Sequence, residues 1–428
     1  MNMTSIVALS ACLVVVMGCQ PRVRGSRRRV EYWWATLGLA SGVVTTLPTL
    51  LNPNISPSSS LALQVAPICV VSVLLVLSNV RRGAALSAIG AGLLLFLTVP
   101  FAFALPSGDL TILLLSLSVL LPAIIVPASG YDKSSLFLAV SDAARLAAMV
   151  LAVLLILKGP QLIGSCRGDK CSIWGSALGP EGTGNALGVC LAVMIGLALL
   201  NVRDLKRWML VAAAGFVLVD LTSSRSGFAI LVAGLGFSLV RGAYWRESSS
   251  MRGHRAADRM VFVAAGLLTV AVAALPFLRW SAGSFTGRAT LWQIATDELV
   301  PRSPIFGHGA SYWVRQAATA QLQANYSTHN MAVEILVTAG AWGIACMAVI
   351  LFSATQSRAT PGVQSLCVAM IGIWLASGLT EVTSLPGRTY LYPAFLTFIL
   401  MVCQSSPVRG ISGDLGARGR AGRSEVEG

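Results

Sequence analysis

The sequence predicts an all-α polytopic integral membrane protein of about 12–13 transmembrane helices, with a large extracytoplasmic loop that carries amphipathic helices. Three observations predict it. Hydrophobic residues make up 55% of the 428 positions and charged residues only 11%, against roughly 25% charged in a soluble chain. Mean hydropathy is +0.75. Apolar runs of about 17–23 residues recur along the chain, each long enough to cross a hydrocarbon core of about 30 Å as a helix.

In order, these runs lie near 3–19, 31–51, 60–79, 84–105, 110–129, 135–158, 185–200, 207–222, 226–240, 260–280, 330–353, 363–380 and 389–404. The first has no basic residue ahead of it and is followed by Arg22, Arg24, Arg27, Arg28 and Arg29. It therefore reads as a span with its N-terminus outside; a cleaved signal peptide carries its positive charge before the apolar run. With that cluster cytoplasmic, alternate loops hold Arg81, Arg82, Lys133, the basic residues of 203–207 and 241–259, Arg358 and those of 409–423. These are most of the 31 basic residues, the bias that sets orientation in membrane proteins. The net charge of +14 then follows from topology and points to membrane lipids, with no nucleic acid partner. Residues 1–404 read as one transmembrane domain, and 405–428, rich in Gly, Arg and Ser, as a disordered basic cytoplasmic tail.

On this orientation the segments 159–184, 281–329 and 381–388 face outward, together with the turn 222–226. Cys166 and Cys171 lie close together in the first of them, where an oxidising compartment permits a disulfide. Two unpaired thiols are the alternative. The segment 281–329 is an uncommonly long polar insert, and long ordered loops usually carry function. Positions 289–300 space Leu291, Ile294, Ala295, Glu298 and Leu299 at helical intervals, and 311–326 repeats the pattern mainly with alanine. Both read as amphipathic helices at the membrane surface. Pro301, Pro304 and Gly307 separate them.

Several chemistries are excluded by what the chain lacks. There is no phosphate-binding G-x-x-x-x-G-K-[ST] run, no Asp-x-Asp pair for a divalent metal, and no G-x-S-x-G elbow. Three histidines, His254, His308 and His329, are too few and too dispersed for a zinc site. No cofactor or metal is expected. The outer face is left with arginine, histidine and a few carboxylates. Arg225, at the end of a span, is either a boundary charge reaching for headgroups or a guanidinium suited to bidentate contact with phosphate. Arg288 opens a surface helix and is either a solvated charge or a second such contact. His329 stands at the mouth of the eleventh run, as a polar cap or as a general base. Glu334, five residues on in an apolar helix, is costly there unless paired or functional. His308, between Gly307 and Gly309, sits in a shaped turn. Asp142 and Arg145, one helical turn apart, neutralise each other as a structural pair.

The succession 222–227 (Thr-Ser-Ser-Arg-Ser-Gly), Gly287-Arg288 with Trp292, 304–309 (Pro-Ile-Phe-Gly-His-Gly), then His329-Asn330 with Glu334, Gly340 and Gly343 resembles the O-antigen ligase/polymerase family of polysaccharide membrane proteins. Gly184-Asn185 with Gly188 resembles the opening of a mid-chain span in that family. The resemblance covers about 180–353. It implies a metal-independent glycosyltransferase of the GT-C type, working at the outer face of a bacterial cytoplasmic membrane in surface or exopolysaccharide biosynthesis. The donor would be a glycan on polyprenyl pyrophosphate and the acceptor a sugar or lipid. It further implies His329 as base, Arg225 and Arg288 on the leaving pyrophosphate, Glu334 orienting His329 or the acceptor, and His308, Asn330 and Trp292 among the substrate contacts. The usual layout of that family has twelve spans with both ends inside; here thirteen runs place the N-terminus outside. Ligase and polymerase are not separated by these motifs. A secondary transporter or flippase of lipid-linked sugars is the alternative, with Asp142, Arg145 and Glu334 as its intramembrane charges.

Overall fold

The computed structural model describes residues 3–20, 27–44, 57–107, 110–159, 163–167, 170–173, 184–202, 204–247, 251–281, 284–310, 312–313, 316, 328–356, 361–379 and 393–405. Among these, thirteen helices of eleven residues or more follow the thirteen apolar runs. They are α1 (Met3–Gly18), α2 (Val30–Val44), α3 (Pro57–Arg81), α4 (Ala88–Ser107), α5 (Leu110–Ile124), α6 (Lys133–Lys158), α7 (Gly184–Leu199), α8 (Leu205–Leu221), α9 (Arg225–Glu247), α10 (Met251–Ala274), α11 (Met331–Thr355), α12 (Pro361–Ser377) and α13 (Pro393–Cys403). Lys133–Lys158, Asp258–Phe277 and Met331–Thr355 are long and apolar enough by length and composition to cross a membrane, and several shorter apolar helices stand beside them. The chain is an all-α membrane protein.

Two runs end differently from the sequence reading. The run 110–129 is helical only to Ile124 and continues as the strand Ile125–Pro127 (β2). Pro122 lies in the last turn of that helix and Pro127 closes the strand, so the backbone donors needed to carry the helix on are missing. The run 84–105 opens as Ala84–Leu86 (β1), antiparallel to β2 with Ala84 opposite Pro127. A second hairpin, Ile163–Arg167 (β3) with Lys170–Ile173 (β4), sets Cys166 opposite Cys171. Directly opposed antiparallel residues have Cα atoms about 4.5–5.5 Å apart, a separation that a disulfide spans. Of the expected helix 311–326 only residues 312, 313 and 316 are described, and they are helical; the rest of it, the segment 381–388 and the tail beyond 405 lie outside the described residues.

Alternate helix ends are tied together at one face of the bundle. The Asp142 carboxylate accepts from Arg27 (3.1 Å), from the Tyr32 hydroxyl (2.8 Å) and from Arg145 (3.2 Å). The Asp142 contacts push the Arg27 guanidinium's pKa up. Arg145 also donates to the Val16 carbonyl at 3.1 Å. Buried Glu31 pairs with Arg29 and Arg82, and Tyr131 bridges to Ser405. The Asp142–Arg145 pair is therefore structural, as its spacing suggested.

The other face is organised by close backbone packing. A Cβ on Gly227 would lie 2.7 Å from the Gly188 carbonyl carbon, and one on Gly234 would lie 2.8 Å from the Gly196 Cα. Glycine at these positions lets α7 and α9 approach to backbone contact, the usual device where lipid gives no hydrophobic drive between helices. The 222–227 turn is seated by this contact, because a Cβ on Gly188 would strike Thr222 and Ser224.

Candidate active site

At the face that carries the long insert, the chain on both sides of His329 is held by four elements. Trp292, fully buried, donates its indole N–H to the Thr328 carbonyl at 2.7 Å. The Thr328 amide and hydroxyl donate to one oxygen of Glu334 at 3.0 and 2.9 Å. Asn330 caps α11, its side-chain oxygen accepting from the amides of Ala332 (3.0 Å) and Val333 (3.1 Å). Its amide nitrogen donates to the carbonyls of Val272 (3.1 Å) and Leu379 (3.2 Å), at the ends of α10 and α12. Met331 donates its amide to Gly378.

Between these anchors His329 adopts φ +55°, a left-handed conformation that costs a non-glycine residue about 1–2 kcal/mol. Such strain persists only where the surroundings over-determine it. Here they do: Thr328, Asn330 and Glu334 are all fully buried. His329 itself is half-buried.

Arg225 is the first residue of α9. The Ser224 hydroxyl accepts the Gly227 amide at 2.9 Å and so caps this helix. Ser223, at φ +57°, makes the turn that reverses the chain. Arg288 likewise begins a helix, Arg288–Ile294, directly after Gly287 at φ +85°. Arg225 is exposed and Arg288 half-buried. A cation at a helix N-terminus opposes the helix dipole. Both arginines are therefore placed against local stability, and His329, one residue ahead of the α11 cap, shares that position. Among the described residues no hydrogen bond or ion pair joins Arg225 to the cluster around His329.

The predicted surface helix 289–300 is present but changes phase. Its α-helix ends at Ile294, Ala295–Leu299 is a π-turn, and Val300–Arg302 completes it. The π-turn rotates Glu298 off the buried stripe, so Glu298 is exposed and pairs with Arg302 at 3.3 Å. Leu291, Ala295 and Leu299 stay buried, and with Trp313 they pack on Val333 and Val337 of α11.

The 303–309 segment does something the sequence did not announce. Gly340 breaks α11 at φ +64°, ψ −159°. An unbroken helix would bond the Ala341 amide to the Val337 carbonyl and the Trp342 amide to the Thr338 carbonyl. Instead Ala341 and Trp342 donate to the carbonyls of Pro304 (2.8 Å) and Ile305 (3.0 Å). The freed carbonyls of Val337 and Thr338 accept the amides of His308 (2.7 Å) and Gly309 (3.0 Å). Two helical rungs are opened and four bonds to the loop replace them. Gly307 and Gly340 are required by proximity: a Cβ on either would lie 2.3–2.7 Å from backbone across the junction. The His308 ring nitrogen sits 2.8 Å from the Leu299 carbonyl.

Residues 208–348 match the family model of the O-Antigen ligase. The chain carries an O-Antigen ligase domain. The matched stretch runs from α8 into α11, holds Arg225, Arg288, His308, His329 and Glu334, and falls inside the 180–353 region of resemblance. No curated protein matches the chain. An O-Antigen ligase domain in an all-α membrane protein makes this an enzyme of membrane polysaccharide biosynthesis. Trp292 and Asn330, expected to touch substrate, are buried, and their printed hydrogen bonds run to the chain on either side of His329 and to the ends of α10 and α12. Glu334, expected among the catalytic groups, is fully buried against Thr328 and acts on the backbone ahead of His329. Thr328 was not singled out. Its signal was only its place one residue before His329 and six before a carboxylate.

Proposed function

We propose that the protein transfers or polymerises glycan from a polyprenyl pyrophosphate donor at the outer face of a bacterial cytoplasmic membrane, with a GT-C-like arrangement and no metal. One observation carries this reading: His329 is held in a strained conformation at a helix mouth by four separate elements, inside an O-Antigen ligase domain. Holding a titratable side chain rigidly in place is what general-base catalysis requires.

In this mechanism an acceptor hydroxyl oxygen attacks the anomeric carbon of the donor. Its proton passes to the imidazole of His329. The bond from the anomeric carbon to the phosphate oxygen breaks, and the pyrophosphate departs with the electron pair. Arg225 and Arg288 stabilise the charge that develops there, an electrostatic role for groups already in place. Placing both at helix N-termini supports this, because backbone N–H groups at those ends also favour an anion.

The transporter reading draws on the break in α11, since interrupted helices line transport sites. Here all four backbone groups freed by the break are bonded to protein backbone. Asp142 and Arg145 belong to the network at the opposite face, so the transferase reading is favoured. Replacing His329 with alanine is expected to abolish product while the protein remains inserted; near-normal product would refute the base assignment. Deleting the gene and sizing the surviving glycan separates the roles. Single repeats on lipid indicate a polymerase, full-length polymer on lipid a ligase, and intermediates trapped in the cytoplasm a flippase.

A further inference from the structure

We infer that the 304–309 segment re-enters the bilayer, and that Ile305 and Phe306 rest among the acyl chains of the leaflet at the insert face. By sequence this segment belongs to a polar outer loop. Its backbone bonds fix its depth instead. Pro304 and Ile305 accept the amides of Ala341 and Trp342, the eleventh and twelfth residues of α11 (Met331–Thr355).

The depth follows from helix geometry. At about 1.5 Å per residue, a hydrocarbon core of about 30 Å takes roughly 20 residues. Counted back from Thr355, the inner end of this apolar helix, the core extends to about Leu336. Ala341 and Trp342 then lie roughly five residues, or about 8 Å, below the core's upper boundary.

What the segment presents at that depth is apolar. Ile305 is 59% exposed and Phe306 51%. Leu94 and Leu95 of α4 and Ile344 of α11 are exposed too. Trp342 links the segment to α4: its amide donates to the Ile305 carbonyl and its indole to the Leu95 carbonyl, each at 3.0 Å. Non-helical backbone is tolerated at membrane depth only where its polar groups are bonded by protein. The four exchanged bonds satisfy that condition. The polar residues near it behave accordingly: the Ser303 hydroxyl donates inward to the Gly307 carbonyl at 2.6 Å, and the charged Glu298–Arg302 pair stands just before the descent. Re-entry would anchor the insert that carries Arg288 to the bilayer on one side and to α11 on the other.

The test places a nitroxide on Phe306→Cys in phosphatidylcholine nanodiscs and compares its collision rates with oxygen, which partitions into acyl chains, and with a water-soluble nickel chelate. The spectrum of the identically treated parent chain is subtracted, and Ile305→Cys and Asp297→Cys are measured alongside. The expected result is that oxygen dominates at 305 and 306 by several-fold, while the chelate dominates at 297. Chelate-dominated collisions at both 305 and 306 would overturn the inference. Oxygen dominance that arises only after polyprenyl phosphate is added would also overturn it, since that would mark a dedicated isoprenoid groove instead of bilayer contact. The readout is independent of glycan transfer, so its failure leaves the enzymatic reading standing.

Discussion

Thr328→Val is the sharpest perturbation available at this site. It keeps the branched shape and deletes one hydroxyl. That hydroxyl lies 2.9 Å from both the Glu334 carboxyl oxygen and the Asn330 carbonyl, both fully buried residues, and leaving a buried acceptor without its donor costs about 1–3 kcal/mol. The left-handed conformation of His329 costs about 1–2 kcal/mol. The lost bond is thus as large as the strain it helps to hold, and the histidine can relax out of its catalytic pose. At about 1.4 kcal/mol per factor of ten, turnover should fall roughly 10–100-fold, with the acceptor KM little changed and membrane insertion intact. The assay is glycan transfer from lipid-linked donor in proteoliposomes, with kcat and KM measured separately. Thr328→Ser restores the hydroxyl and should recover most of the rate. Valine at full rate would refute the clamp, and serine as impaired as valine would show that the methyl group's packing matters instead.

Gly340→Ala places a Cβ 2.3 Å from the Ile305 carbonyl oxygen at φ +64°, so strain and clash coincide. Destabilisation of at least about 2 kcal/mol is expected, read as a lower midpoint of thermal unfolding in detergent and earlier proteolysis within 303–309; an unchanged midpoint would contradict the exchanged-rung junction. Arg225→Lys retains charge but loses the planar fork, so bidentate contact with phosphate predicts a marked loss of transfer. Because Arg225 is exposed and lysine keeps its charge at the start of α9, the same variant should leave stability unchanged.

The parts of this architecture legible in the sequence are those with a local physical cause. Thirteen apolar runs became thirteen helices because a bilayer demands length and continuous hydrophobicity, and both can be read from a window of residues. Helix starts were also local: Asn330 and Ser224 cap α11 and α9 with side chains suited to that task. Prolines 122 and 127 marked an end that hydropathy alone overran. The surface helix was legible as a helix but not in its phase, since a π-turn inserts a residue that periodicity cannot foresee. His329 was legible as a candidate, whereas its clamp was not. The carbonyls of Val272 and Leu379 that hold Asn330 belong to distant segments and have no sequence identity at all.

The break in α11 belongs to this second kind, and it connects the two halves of the site. Glycines at 307 and 309 suggested a tight turn beside His308, but together with Gly340 they serve a close backbone approach. Each removes a Cβ from a place where backbone or a ring must pass, with Gly309 facing Phe103. Above the rungs exchanged at Ala341 and Trp342, Val333 and Val337 of α11 pack with Leu291, Ala295 and Leu299 of the insert. Below the break, Ile350 of α11 packs against Gly92 of α4. His329 therefore rides on a half-helix whose partners are the insert and the ends of α10 and α12. The histidine and Arg288 are consequently tied together through Trp292 and Thr328, and Arg225 stands at the start of α9, which packs on α7, α10 and α12. A substrate that must reach all three would meet its base at the mouth of α11, one cation from the insert and its second cation from the start of α9.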